Sequence, residues 1–76
     1  YNRPGLDLKQ REMITVTALL IQGDTADQLQ VHLNGALNVG LTKTEIVETM
    51  IQCIPYIGFP RVLNGLTDAR RVFETR

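Results

Sequence analysis

Apolar positions along this chain fall into four blocks of helical length, separated by glycines, prolines and capping residues. The first block reads LKQREMITVTALLIQ from Leu8 to Gln22. Asp7 with Gln10 forms an N-terminal capping box after the turn-like Arg3-Pro4-Gly5, and Gly23 stands where a C-cap glycine belongs. The β-branches of Ile14, Val16 and Thr17 argue for a strand, but the fifteen-residue length and the two caps favour a helix. Its latter part, MITVTALLI, is apolar enough to be buried on more than one side.

A second helix, capped by Asp24 or Thr25, is predicted to run to about Val39 and end at Gly40, with Leu29, Leu33, Ala36 and Leu37 forming one stripe. Thr42 and Glu45 make a further capping box. Behind it Ile46, Val47, Met50, Ile51 and Ile54 give the third helix a broad apolar face. Pro55 removes a backbone donor and presses on the preceding turn, so a kink or an early stop is expected there. Gly58 and Pro60 open a fourth helix from about Pro60 to Glu74, which carries Val62, Leu63, Leu66, Ala69, Val72 and Phe73. The predicted fold is all-α, four short helices with tight connections and no repeat, low-complexity stretch or long linker.

Length changes the picture first. Seventy-six residues make one domain at most, over 1–76. A core of this size seldom supplies more than roughly 3–5 kcal/mol without a metal, disulfides or self-association. A single cysteine cannot form an internal disulfide, and one histidine with one cysteine cannot furnish the four ligands of a structural zinc. Homo-oligomerisation is the remaining route, and a 43% apolar chain has the material for it. The chain opens abruptly at Tyr1, which leaves open a piece of a longer protein lacking an N-terminal extension.

Charge excludes more. Eight Lys and Arg balance eight Asp and Glu, so the basic footprint of a nucleic-acid binder is missing. No apolar run of about 18 residues is present to span a bilayer, and YNRPGLDLKQRE lacks the apolar core of a signal peptide. A cytoplasmic protein without a membrane partner is the expectation, in keeping with an unpaired cysteine.

The candidate chemistry centres on His32 and Cys53, the only histidine and the only cysteine. His32 follows Leu29 by three and precedes Ala36 by four, which sets it at the border of the apolar stripe. It reads either as a hydrogen-bonded structural histidine or as a general acid or base. Cys53 lies among Ile51, Ile54 and Ile57, surroundings that raise a thiol pKa, so it reads as a small buried hydrophobe or as a lone nucleophile. Glu12 and Arg11 read as solvated charges or as site residues, and Arg11 and Arg61 are the natural grips for a carboxylate. Tyr56 and Phe59 read as core or interface aromatics.

Taken in order, RPGL at 3–6, KQREMITVTALL, QVHLNGALNVGLTKTEIVETMIQ and YIGFPRVLNG resemble the carboxymuconolactone decarboxylase family over essentially the whole chain. The resemblance implies an all-helical protomer of a trimer or hexamer. It implies cofactor-independent loss of carbon dioxide from a small carboxylated lactone, with no metal, in aromatic compound catabolism. It assigns proton delivery to His32 and carboxylate or oxyanion binding to Arg11, with Arg3 as a second choice. The related alkylhydroperoxidase D-like branch carries two cysteines seven and four residues before the matching histidine, and a glutamate near the place of Glu12. Here those cysteine positions hold Thr25 and Gln28, so the paired-thiol mechanism is lost. Glu12 itself, where such decarboxylases carry a small polar residue, Ile57 before the G-x-P turn, and Pro55 all depart from the family pattern and point to a different small-molecule substrate. Three classes follow: a lyase, a peroxiredoxin-like antioxidant enzyme using Cys53 alone, and a non-catalytic helical binding protein.

Overall fold

The computed structural model describes residues 3–76, which form four helices of ten residues or more and a one-turn segment, with no strand among them. In chain order these are α1 (Leu8–Gln22), α2 (Ala26–Asn38), α3 (Lys43–Gln52), α4 (Ile54–Ile57) and α5 (Phe59–Glu74). None of the helices is long and apolar enough to cross a membrane.

Two helices begin on reciprocal capping boxes, as their sequences predict. The Asp7 carboxylate accepts the Gln10 N–H at 2.8 Å while the Gln10 side chain accepts the Asp7 N–H at 2.9 Å. Thr42 and Glu45 repeat the arrangement at the start of α3, at 3.0 and 2.8 Å. The Thr42 backbone N–H, then the Thr42 hydroxyl, hold the Glu45 carboxyl below its ordinary range, because both bonds favour the charged form. The start of α2 is built differently. Thr25 occupies the N-cap position but makes no cap bond; its hydroxyl donates instead to the Leu19 carbonyl at 2.6 Å, tying α2 to the last turn of α1.

Pro55 produces the early stop rather than the kink. Helix α3 ends at Gln52, Cys53 follows as its C-cap, and Pro55 sits in the first turn of α4, where no backbone donor is needed. Gly58, at φ 87°, then turns the chain into α5.

Helix α1 packs on α2, α2 on α5, and α3 on both α5 and α1. The core between them is built from Val16 and Leu20 of α1, Leu29, Leu33 and Ala36 of α2, Ile46 and Met50 of α3, and Val62, Ala69 and Val72 of α5. Gly65 lets α5 pack against Leu20 of α1: a Cβ there would collide with Leu20 Cδ1. Not every apolar position predicted for the core reaches it. Ile51 is 42% exposed and Leu63 54%, each lying on the outer edge of its stripe, while Tyr56 and Phe59 stand at 79% and 62% on the α4–α5 corner, outside the core.

Candidate functional site

Helices α1 and α2 run side by side after a short loop, and the residues facing one another across them include a carboxylate and an imidazole. Glu12, on the second turn of α1, is buried. Its Oε2 lies 3.3 Å from Nδ1 of His32 on α2. An ionised carboxylate can only accept, so this contact places a hydrogen on Nδ1 and directs Nε2 away from the pair. The His32 side chain is 32% exposed and that of Glu12 only 10%, so the imidazole stands between the carboxylate and solvent. Glu12 is therefore not the solvated surface charge that its neighbour Arg11 suggests.

Gly35 borders this arrangement. It lies one turn beyond His32 on the same face of α2, and a Cβ built on it would touch the Glu12 carboxylate at 3.5 Å. The helix backbone itself thus forms one wall around the carboxylate. Sequence reasoning passed over this residue, although a glycine in a helix interior costs about 0.5–1 kcal/mol relative to alanine; a Cβ at this distance would make only an ordinary contact, so the approach does not by itself require glycine. Asp68 was also passed over. It is buried on α5, accepts from Gln30 Nε2 at 3.4 Å and lies 3.8 Å from Arg71, an arrangement that joins α5 to α2.

The remaining expected site residues are placed elsewhere. Arg11 directs Nε to the Leu6 carbonyl at 3.2 Å and Nη2 to that of Arg3 at 2.8 Å, bracing the segment before α1. Arg3 is exposed within that segment. Arg61 sits at the far end of α1, where Nη1 donates to the Ile21 carbonyl at 2.7 Å and the guanidinium lies over Gly23. Ile21 is nine residues beyond Glu12, about 14 Å along the helix axis at ~1.5 Å per residue.

Cys53 is buried, and its thiol donates to the Thr49 carbonyl at 3.4 Å. Burial pushes the thiol pKa above its ordinary 9.0, which leaves little thiolate at neutral pH. It lines a groove of about 540 Å³ between α1 and α3, together with Met13, Ile14, Thr17, Ala18, Ile21, Thr49 and Gln52. On the wheel of α1 these groove residues lie opposite Glu12. His32 and Cys53 therefore belong to different regions of the molecule. Of the two positions that hold cysteine in the alkylhydroperoxidase D-like branch, Thr25 supplies the hydroxyl tie at the start of α2 and Gln28 is an exposed side chain one turn before His32.

Fold and pair together define a class, an all-α chain with a carboxylate-backed histidine across two consecutive helices. A family model described as "Carboxymuconolactone decarboxylase family" matches residues 1–70, and the chain belongs to that family. Among curated relatives it is 39% identical over 74 residues to an uncharacterised 15.0 kDa protein of the nqo9-nqo10 intergenic region of Paracoccus denitrificans, covering 96% of this chain and 55% of that protein. It is 35% identical to the 4-carboxymuconolactone decarboxylase of Acinetobacter baylyi, covering 97% of this chain and 54% of the relative. A nitrosuccinic acid decarboxylase, npaB, of Metarhizium robertsii is 36% identical, with 97% and 51% covered. The chain thus spans about half the length of the curated relatives it matches.

Proposed function

We propose that this protein is a cofactor-independent decarboxylase, acting as a homo-oligomer on a small acid whose carboxylate is attached next to an electron-withdrawing group. The observation that carries this reading is the contact between His32 Nδ1 and the buried Glu12 carboxylate. Two relatives support it by their names, one acting on a carboxylated lactone and the other on a nitro acid. Lactone carbonyl and nitro group share one property: each accepts the electron pair released when the bond to the departing carboxylate breaks.

In this mechanism the C–C bond to the carboxylate cleaves, carbon dioxide leaves, and the electron pair moves into the acceptor group. The resulting anion takes a proton from Nε2 of the imidazolium form of His32. Glu12 holds Nδ1–H throughout, fixing the ring and balancing the positive charge before transfer. Neutral His32 then regains a proton from water, to which its partly exposed ring has access. Arg61, at the opposite end of α1, has no part in this proton transfer.

The test measures carbon dioxide release from 4-carboxymuconolactone and from nitrosuccinate by the purified protein and by His32→Ala. The variant is expected to lose about 10²–10⁴ in kcat, the usual contribution of a positioned general acid. Equal rates for parent and variant would remove His32 from the mechanism. The lone-thiol alternative draws no support from Cys53, which is buried, holds its proton and lies across α1 from the pair.

A further inference from the structure

Arg61 is a carboxylate-binding group that the proposed reaction leaves unused, and it lines a cavity of its own. That cavity, of about 350 Å³, opens between the α1–α2 loop and the first turns of α5, and Gly23, Asp24, Ile57, Pro60, Arg61 and Asn64 form its walls. Its size is ordinary for a small-molecule site. It lies at the end of α1 remote from Glu12, so a ligand held there would not touch the His32 pair.

We infer that this cavity binds a small zwitterion, an α-amino acid with an apolar side chain, placing its carboxylate on Arg61, its ammonium on Asp24 and its side chain against Ile57 and Pro60. Nothing in this inference depends on decarboxylation.

The guanidinium is already held in place. Its Nη1 donates to the Ile21 carbonyl at 2.7 Å, and a Cβ built on Gly23 would stand 3.3 Å from both Cζ and Nε and 3.5 Å from Nη2. Three nearly equal distances set Gly23 against the flat face of the group, not its rim. One of five N–H donors is therefore spent, and the edge formed by Nε and Nη2, which takes a carboxylate bidentately, has no partner among the described residues. Asp24 supplies the opposite charge. It lines the same cavity, yet among the described residues it forms no ion pair with Arg61 and its carboxylate accepts no hydrogen bond. A simple anion would satisfy Arg61 but meet repulsion from Asp24, and a simple cation would meet the reverse, whereas a molecule bearing both charges satisfies both. Asn64, one turn along α5 from Arg61 and likewise without a side-chain hydrogen bond among the described residues, can accept from the ammonium or donate to the carboxylate. Ile57 and Pro60 offer only carbon to the rest of the ligand, which disfavours a second charge there.

Nitrogen–proton correlation NMR of the purified protein, titrated with L-leucine, tests the inference. Leucine is expected to bind saturably at about millimolar concentration, moving the amide signals of Gly23, Asp24 and Asn64 and leaving that of His32 in place. Isocaproate, which keeps the carboxylate and chain but lacks the ammonium, and isoamylamine, which lacks the carboxylate, should each bind about tenfold more weakly. Arg61→Lys keeps the positive charge but loses the bidentate edge, and Asp24→Asn loses the negative charge while accepting the same left-handed backbone, at φ 53°. Each should weaken leucine binding about fivefold or more with the circular dichroism spectrum of the parent. Cavity amide signals unmoved by leucine, isocaproate binding as tightly as leucine, or leucine binding unchanged in Asp24→Asn would each overturn it.

Discussion

The two faces of α1 reverse the usual relation between polarity and burial. Toward α2 the helix buries a carboxylate, Glu12, where an isolated helical bundle would place an aliphatic side chain. Away from it, Ile14 and Ile21 meet solvent where such a bundle would place charge. Both inversions oppose the stability of a lone chain, and they do so in different ways. The buried carboxylate requires a partner within the chain and has one, whereas the exposed isoleucines are without cover. Position on a helix wheel therefore separates a buried, paired carboxylate from uncovered isoleucines over only three turns of chain.

Glu12→Leu offers the sharpest way to break this contrast. Removing the carboxylate is expected to lower decarboxylation about a hundredfold or more, because His32 loses both its tautomer and its counter-charge. At the same time it should leave stability unchanged or raise it by about 0.5–2 kcal/mol, since His32 is exposed enough to be solvated once unpaired. Kinetics and urea titration of the same variant decide the matter. A large stability loss would show that the pair is a structural tie.

Gly65→Val probes the side of α1 that faces the core, where no inversion exists. Added carbon must displace Leu20, so a loss of about 1–3 kcal/mol is expected. Thermal unfolding should show it as a fall in Tm of about 4–8 °C for each kcal/mol in a chain of this size. An unchanged Tm would mean that α5 can move away from α1 without cost.

The smallest effect concerns the groove. With its pKa raised by burial, the Cys53 thiol binds its proton more tightly in the folded chain than in the unfolded one. Its contribution is therefore complete below the unfolded value and is lost as pH rises through the folded value, so the loss begins above about pH 9. Urea titrations from pH 8 upward should show the parent losing stability relative to Cys53→Ser over that window. Parallel curves would place the thiol in water rather than against the groove wall.

Much of the fold was legible because its boundaries are local. Asp7 with Gln10, Thr42 with Glu45, Gly23 and Gly58 act within a few residues of where they stand, and the helices begin and end beside them. The break before α4 was visible in Pro55 but falls at Cys53, since Pro55 has no N–H to continue the helix and its ring presses on the turn before it. Ile51 and Leu63 show where periodicity stops informing: it marks a wide apolar stripe without saying which edge meets a neighbouring helix. The burial of Glu12 lay further out of reach. Beside Arg11 it looks like surface, and what lies against it is the imidazole of His32 and the backbone of α2 at Gly35, a relation that appears only when α1 and α2 are brought together.

The loop that joins those two helices carries a consequence of its own. Glu12 and His32 lie only 20 residues apart in sequence, within one helical hairpin closed by Gly23, Asp24 and Thr25. Contacts this local form early in folding, because little loop entropy is lost in making them, so the pair can meet before α5 has docked. The same closeness makes helical register decisive. One residue inserted within α1 after Glu12, or within α2 before His32, would turn one partner by about 100° and carry it about 1.5 Å along its axis relative to the rest of its helix, and the imidazole would leave its carboxylate.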